Sequence, residues 1–376
     1  MLTFIAEHSR EEASALVRPA GETLTYGGLA MAAAAVAQAL EARVGDVARR
    51  AVAIVASDGA QRLAALLAVL EAGGVALPLD ERRGLEAVRA TAERARAVAL
   101  VVGDAAEDRL DIETGDAARV AQPLDTALLL APLVGAGEAR RFSRAALADA
   151  ADALVPAQSF TTATRLGLLD VGVTPAQLVG QALATLRAGG TLLDVGRLDP
   201  VAQLAALARL DGNTLLGFPA QLDALARAVL DHGVPPPPIT RVMVQASWLR
   251  EPLRQALQQA FPQATLVNLH RSADSLHFTP GPAPEPVDGT IELEGERLHP
   301  TVLEAELRAR EEVREAAVLV VPDERLGARL YAFVALADAT ARLTLTTARV
   351  MTLESLPHAP DGSIDYQALQ RMASPE

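Results

Sequence analysis

Apolar residues in this chain alternate between two rhythms. Short unbroken runs such as RAVAIVAS (50–57), VALPLD (75–80) and AVALVVGD (97–104) have the length and continuity of strands buried on both faces of a parallel sheet. Between them lie stretches with apolar residues at helical spacing. One is DGAQRLAALLAVLEAGG (58–74), stopped by the pair Gly73–Gly74; another is GLEAVRATAERA (84–95). The order repeats further on. TRLGLLDVG (164–172), TLLDVG (191–196), NTLLGFP (213–219), ITRVMVQAS (239–247) and ATLVNLH (264–270) read as strands. TPAQLVGQALATLRAGG (174–190), DPVAQLAALARLDG (199–212), AQLDALARAVLDHG (220–233) and LREPLRQALQQAFP (249–262) read as the helices between them. Residues 10–45 read as helix around a short turn, with a strand-like Leu24–Tyr26. Strand–helix alternation of this kind predicts an α/β fold with helices on the faces of Rossmann-like sheets.

The pattern changes at FTPGPAPEPVDG (278–289), a Pro/Gly-rich stretch with the composition of a linker. Beyond it come a strand TIELEG, a helix PTVLEAELRAREEV, strands EAAVLVVPDE and RLYAFVALAD, then RVMTLESLP and a terminal helix. That order predicts a small α+β domain, so the boundary is placed near Pro284, with domains 1–283 and 284–376.

Composition narrows the function. A net charge of −13 argues against nucleic acid or an anionic membrane as partner. The chain has no cysteine, which removes disulfides, thiolate chemistry and Cys-based metal sites. MLTFIAEHSREEAS has no basic segment followed by an apolar core, and runs such as TALLLAPLVGAG are too short to span a bilayer, so a cytoplasmic protein is expected. All 34 basic residues are arginine; there is no lysine. The six histidines form no H-E-x-x-H pair, there is no G-x-S-x-G elbow, and no metal site is expected, His270 and His277 being the nearest approach to one.

Seven segments, in order, resemble the adenylate-forming superfamily of acyl-CoA synthetases, nonribosomal-peptide adenylation domains and luciferases. They are LTYGGL (24–29), LEAGGVALPLD (70–80), LRAGGTLLDVG with the spacing at Thr214–Pro219, LVNLHRSADS (266–275), GTIELEGERLHPTVLEAEL (289–307), VREAAVLVVPDERLGARLYAFVAL (313–336) and LPHAPDGSIDYQAL (356–369). The resemblance implies a large N-terminal domain of αβα layers and a small α+β C-terminal domain. The β-rich third subdomain is largely deleted, because Ser275 is followed within about a dozen residues by the linker.

The family joins ATP to a carboxylic acid through phosphate-binding groups that this sequence lacks. LLLAPLVGAGEARRFSRAAL (128–147) stands at the phosphate loop; only Gly135 and Gly137 match it, Pro132 removes an N–H, and Glu138 takes the place of the loop lysine. QASWL (245–249) replaces a small-residue segment near adenine, with bulky Trp248. Asn268 matches the family, His270 stands for the adenine-stacking aromatic, Arg271 and Ala273 replace Gly and Thr, and Asp274 replaces the Mg²⁺-binding Glu. Asp288 falls at the hinge position, and Thr161 and Asp170 where the acid pocket varies. Ser363 replaces the lysine that bridges acid and phosphate.

The resulting expectation is a pseudoenzyme that binds or scaffolds an acyl or peptidyl carrier protein or a full-length biosynthetic enzyme. No cofactor is expected, and a dimer or hetero-complex is compatible with the groove left by the deletion. Two alternatives stay open. One is an acyl- or aryl-acid ligase using ATP/Mg²⁺ and coenzyme A or phosphopantetheine, with Arg140 or Arg141 in place of lysine. The other is ATP-independent acyl-thioester handling.

Overall fold

A computed structural model describes residues 12–81, 84–104, 109–115, 120–131, 138–169, 182–246, 249–270, 276, 279–281, 290–293, 296–337, 343, 345, 348–359 and 363–373. The first element among the described residues is a strand, β1 (Ser14–Val17), which returns through β2 (Thr23–Thr25). This corrects the helical reading of the first part of 10–45. SALV is an apolar run of four, too short to display a helical period, and its pairing with strands on both sides decides its state. Helix α1 (Tyr26–Val44) starts where the Thr25 hydroxyl accepts the Gly28 N–H, and it stops at Gly45, whose φ of 75° suits glycine.

The next stretch builds β3 (Ala51–Ala56), α2 (Gly59–Glu71), β4 (Val75–Pro78), α3 (Leu85–Arg94), β5 (Ala99–Asp104), β6 (Arg109–Thr114), β7 (Thr126–Leu130) and β8 (Arg140–Ser143). These strands form one six-stranded sheet in the order β6-β5-β3-β4-β7-β8, parallel at its centre with antiparallel edges. The two edges were not foreseen. Their residues are mostly polar, as those of edge strands are, so apolar continuity does not mark them.

The chain then forms α4 (Arg144–Ala157), β9 (Arg165–Leu168), α5 (Leu183–Arg187), β10 (Thr191–Asp194), α6 (Pro200–Arg209), β11 (Thr214–Gly217), α7 (Pro219–Leu230), β12 (Arg241–Gln245), α8 (Glu251–Ala260), β13 (Thr265–His270) and β14 (Thr279–Pro280). With β1 and β2 these make an eight-stranded sheet in the order β14-β13-β12-β11-β9-β10-β1-β2. Strand β14 lies within the stretch read as linker; it pairs antiparallel with β13.

Helix α2 is buried on every side from Ala60 to Leu70. A helix apolar all round has to be enclosed, and α2 is: one core holds α1, α2, α4 and α5 between the two sheets. Helices α6, α7 and α8 cover the outer face of the eight-stranded sheet, and α3 covers that of the six-stranded sheet. The two large sheets thus sit in five layers. Tyr26 fixes α1 within them: its buried hydroxyl donates to the Gly190 carbonyl at 2.7 Å with the Leu186 carbonyl at 3.0 Å, and burial raises its pKa.

The C-terminal stretch adds a ribbon of β15 (Ile291–Leu293) and β16 (Glu296–Leu298), then α9 (Pro300–Arg308), β17 (Val313–Asp323), β18 (Gly327–Leu336), β19 (Arg349–Leu353) and α10 (Tyr366–Ala373). The sheet β17-β18-β19 has its own two small cores, one under α9 and one under α10. Glu304 ties the layers together: it accepts the Val318 N–H and the Tyr366 hydroxyl and pairs with Arg308 at 2.7 Å. No helix among the described residues is long and apolar enough to cross a membrane.

Candidate functional site

In open α/β sheets ligands bind beyond the carboxyl ends of the parallel strands, where strand order reverses. In the eight-stranded sheet the chain runs from β9 to β10 on one side and then crosses to β11 on the other. In the six-stranded sheet it runs from β3 to β4 and crosses back to β5. Both carboxyl edges face the same place, because side chains at the ends of β1, β3 and β10 touch. Arg18 donates to both oxygens of Asp58 at 2.8 and 3.1 Å, and Asp194 accepts the Gly59 N–H at 2.8 Å.

This junction is the first part of the site. Asp58 also caps α2 by accepting the Gln61 N–H at 2.9 Å. Arg62, buried one turn along, donates to the Ala56 carbonyl. A Cβ at position 59 would lie 2.6 Å from the Asp194 carboxylate, so any other residue there must displace that side chain. Burial raises the Asp194 pKa; the Gly59 N–H, Arg62 and Arg18 pull it down, and Asp58 pushes it further up. Two acids and two arginines therefore neutralise one another at the α2 N-terminus, which itself favours negative charge. None of the four was singled out from sequence; Arg18 and Asp58 lie 40 residues apart and Asp194 another 136 beyond Asp58, so no local motif joins them.

The sign of the Asp194 shift sets a pH dependence. A carboxyl whose folded pKa lies above its unfolded value stabilises the fold fully below the unfolded value, here near 3.8, and that contribution is lost as pH rises through the folded value. Asp194→Asn cannot titrate. The melting temperature of the wild type relative to Asp194→Asn is expected to fall as pH rises from about 4 to 8. Parallel melting curves across that range would contradict the assignment.

The second part lies at the ends of β12 and β13. Asn268 Nδ2 donates to the Gly281 carbonyl at 3.0 Å, and His270 Nδ1 lies 2.8 Å from the same oxygen, so that ring nitrogen carries the proton. Gly281, at φ 107°, returns its N–H to the Asn268 carbonyl. Both side chains thus hold the edge strand β14. Two polar groups remain: Asn268 Oδ1 and the whole amide of Gln245, 2% exposed, have no partner among the described residues. Gln245 shares its face of β12 with Met243, which packs between the two sheets.

Other expected residues are distributed differently. On β8, Phe142 packs into the central core, so Arg140 shares the inner face and Arg141 takes the outer one. Arg141 donates to Gln122 Oε1 at 3.4 Å and, with Glu138, Arg94 and Arg96, lines an outer groove of about 760 Å³. The two arginines cannot jointly serve one phosphate. Thr161 accepts the Ala163 N–H at 3.2 Å and shapes its own turn. Ser363 is exposed in a turn closed by its carbonyl, which accepts the Ala359 N–H at 2.8 Å, and by the bridge between His358 and Ile364. Gly135, Gly137, Trp248, Asp170, Asp274 and Asp288 lie outside the described residues. Among the described residues no group of three or more His, Asp or Glu is placed to hold a metal ion.

Comparison with known proteins agrees with this architecture. Residues 5–163 match the family model described as AMP-binding enzyme. Phenyloxazoline synthase MbtB of Mycobacterium tuberculosis is 29% identical over 302 residues, which is 73% of this chain and 20% of that protein. The chain is thus similar to AMP-binding, adenylate-forming enzymes, with the family match running over residues 5–163. Among solved structures, IdnL1 covers 95% of this chain and 98% of its own at 17% identity, with a TM-score of 0.66. The nonribosomal peptide synthetase FmoA3 covers 75% of this chain and 32% of its own at 21% identity, with a TM-score of 0.62. At such identities these two establish the fold alone. The chain spans about a fifth of the length of the curated relatives it matches.

Proposed function

We propose that this adenylate-forming homologue does not itself make acyl adenylates and serves as a binding partner for a carrier protein or a full-length biosynthetic enzyme. The observation that carries the reading is Ser363, at the position of the family lysine, in a chain with no lysine anywhere. A serine hydroxyl has no charge and a short reach. Loss of one preorganised donor to a developing negative charge typically costs about 2.7–4 kcal/mol, or 10²–10³ in rate. Three features support the same direction. Glu138 takes the sequence place of the loop lysine, Arg141 lines the outer groove with it, and Asn268 and His270 are engaged with Gly281. A fold survives such losses because packing and chemistry rest on different residues. Carrier-dependent assembly is favoured by the similarity to a phenyloxazoline synthase far longer than this chain.

Titration calorimetry with ATP and Mg²⁺ tests the nucleotide half of this reading. No saturable heat is expected up to millimolar ATP. A dissociation constant in the micromolar range would overturn it. A ligase that uses Arg140, the inner of the two arginines, is the second reading; it requires turnover that Arg140→Ala abolishes.

A further inference from the structure

The hairpin that joins β17 to β18 reaches across to the outer helices of the eight-stranded sheet. Its target is Asp223 on α7, a buried acid in a row of core residues: Leu222, Leu225 and Ala226 belong to the core beneath α7. Arg227, one turn along, donates to Asp223 Oδ2 at 2.9 Å. The hairpin supplies the rest. Arg325 Nε comes within 2.8 Å of Asp223 Oδ1, and Arg329 Nη2 within 4.0 Å of Oδ2. The hairpin is shaped for this approach: Asp323 Oδ1 accepts the N–H groups of Arg325 and Leu326 at 2.9 and 2.8 Å, and its other oxygen holds Arg329. Burial alone would raise the Asp323 pKa, but Arg329 and the two N–H groups outweigh it and the net shift is downward.

Two uncharged contacts accompany the charges. Leu326 packs against the core beneath α7 and α8. Gly327, at φ 86°, lies against the Arg250 guanidinium, where a Cβ would come within 3.1 Å of Nε. Ion pair, apolar plug and close glycine all fall within five residues of the tip.

We infer that this tip is an electrostatic latch: Arg325 on Asp223 holds the C-terminal sheet against α7 and α8 in one orientation. A buried carboxylate that loses a cationic partner is left poorly compensated, so the docked arrangement is favoured while Arg325 is in place. Arg325 Nε and Asp223 Oδ1 are close but not aligned as a hydrogen bond, and both atoms are buried although the rest of the Arg325 side chain is partly open to solvent. Charge attraction carries the pairing, with little directional bonding to break. The turn that bears Ser363 belongs to the same C-terminal unit, so the latch also fixes where that turn sits. This inference stands whether or not the chain forms adenylates.

Absence of cysteine makes the test direct. Cysteines introduced at the exposed positions Gln259 on α8 and Gln367 on α10 carry spin labels for a distance measurement by double electron–electron resonance. The unaltered hairpin is expected to give one narrow distance distribution. Arg325→Gln should raise the population at other distances on the order of tenfold, whereas Arg325→Lys, which keeps the charge, should stay close to the parent. Arg325 is at a surface hairpin tip, so these variants leave the large cores alone. A distribution for Arg325→Gln that superimposes on the parent would overturn the latch. So would equal broadening by Gln and Lys, which would assign the docking to hairpin shape rather than charge.

Discussion

Asp58→Ala is expected to lower the unfolding free energy by roughly 2–4 kcal/mol, measured by urea denaturation at neutral pH. Two losses combine. The N-cap of α2 goes, which typically costs about 1 kcal/mol. Arg18 also loses the acid it pairs with where the two sheets meet. Arg18 is partly exposed and recovers some hydration, so the full cost of breaking a buried pair is not expected. Asp58→Asn, which retains a cap oxygen but no charge, should fall between the two. An Asp58→Ala variant within about 0.5 kcal/mol of wild type would show that packing alone holds the sheets together.

Leu67→Ala should cost about 2–5 kcal/mol. Leu67 is fully buried on α2, in the core between the two sheets, and the helix has no exposed side toward which neighbours could relax. Leu124→Ala serves as the control, because Leu124 is 75% exposed and its loss should be nearly neutral. Similar costs at the two positions would contradict the five-layer arrangement.

Much of this architecture could be read from apolar patterning. Strand β3 is six consecutive apolar residues, all buried, and α2 is apolar without a break from Leu63 to Leu70; both are decided by local sequence. Strands β6 and β8 were missed because an edge strand buries one face at most, and Arg140 and Arg141 look like loop. Strand β1 was misread because four residues carry no period and its partner β10 comes 174 residues later. Pairing at that range is settled by tertiary packing rather than propensity.

The site was legible in a different sense. The expectation that Ser363 and Glu138 stand where the family has lysine rests only on flanking residues that resemble family motifs. What those flanks could not reveal is how the remaining polar groups are used. That Asn268 and His270 converge on one carbonyl depends on Gly281, from a strand that the proline-rich composition concealed. Arg140 and Arg141 looked interchangeable as replacements for lysine until strand alternation sent them to opposite faces. Asp223 and Arg325 belong to segments a hundred residues apart, each ordinary on its own.

Pyrophosphate release tests the central reading most directly. The protein would be incubated with ATP, Mg²⁺ and a panel of fatty, aryl and amino acids, with and without coenzyme A. Release at the level of the protein-free control for every acid is predicted. The Ser363→Lys variant is predicted to stay there too, because the lost groups act as a unit and one restored amine does not rebuild the set. Acid-dependent release by the unaltered chain, saturating in ATP, would contradict the account.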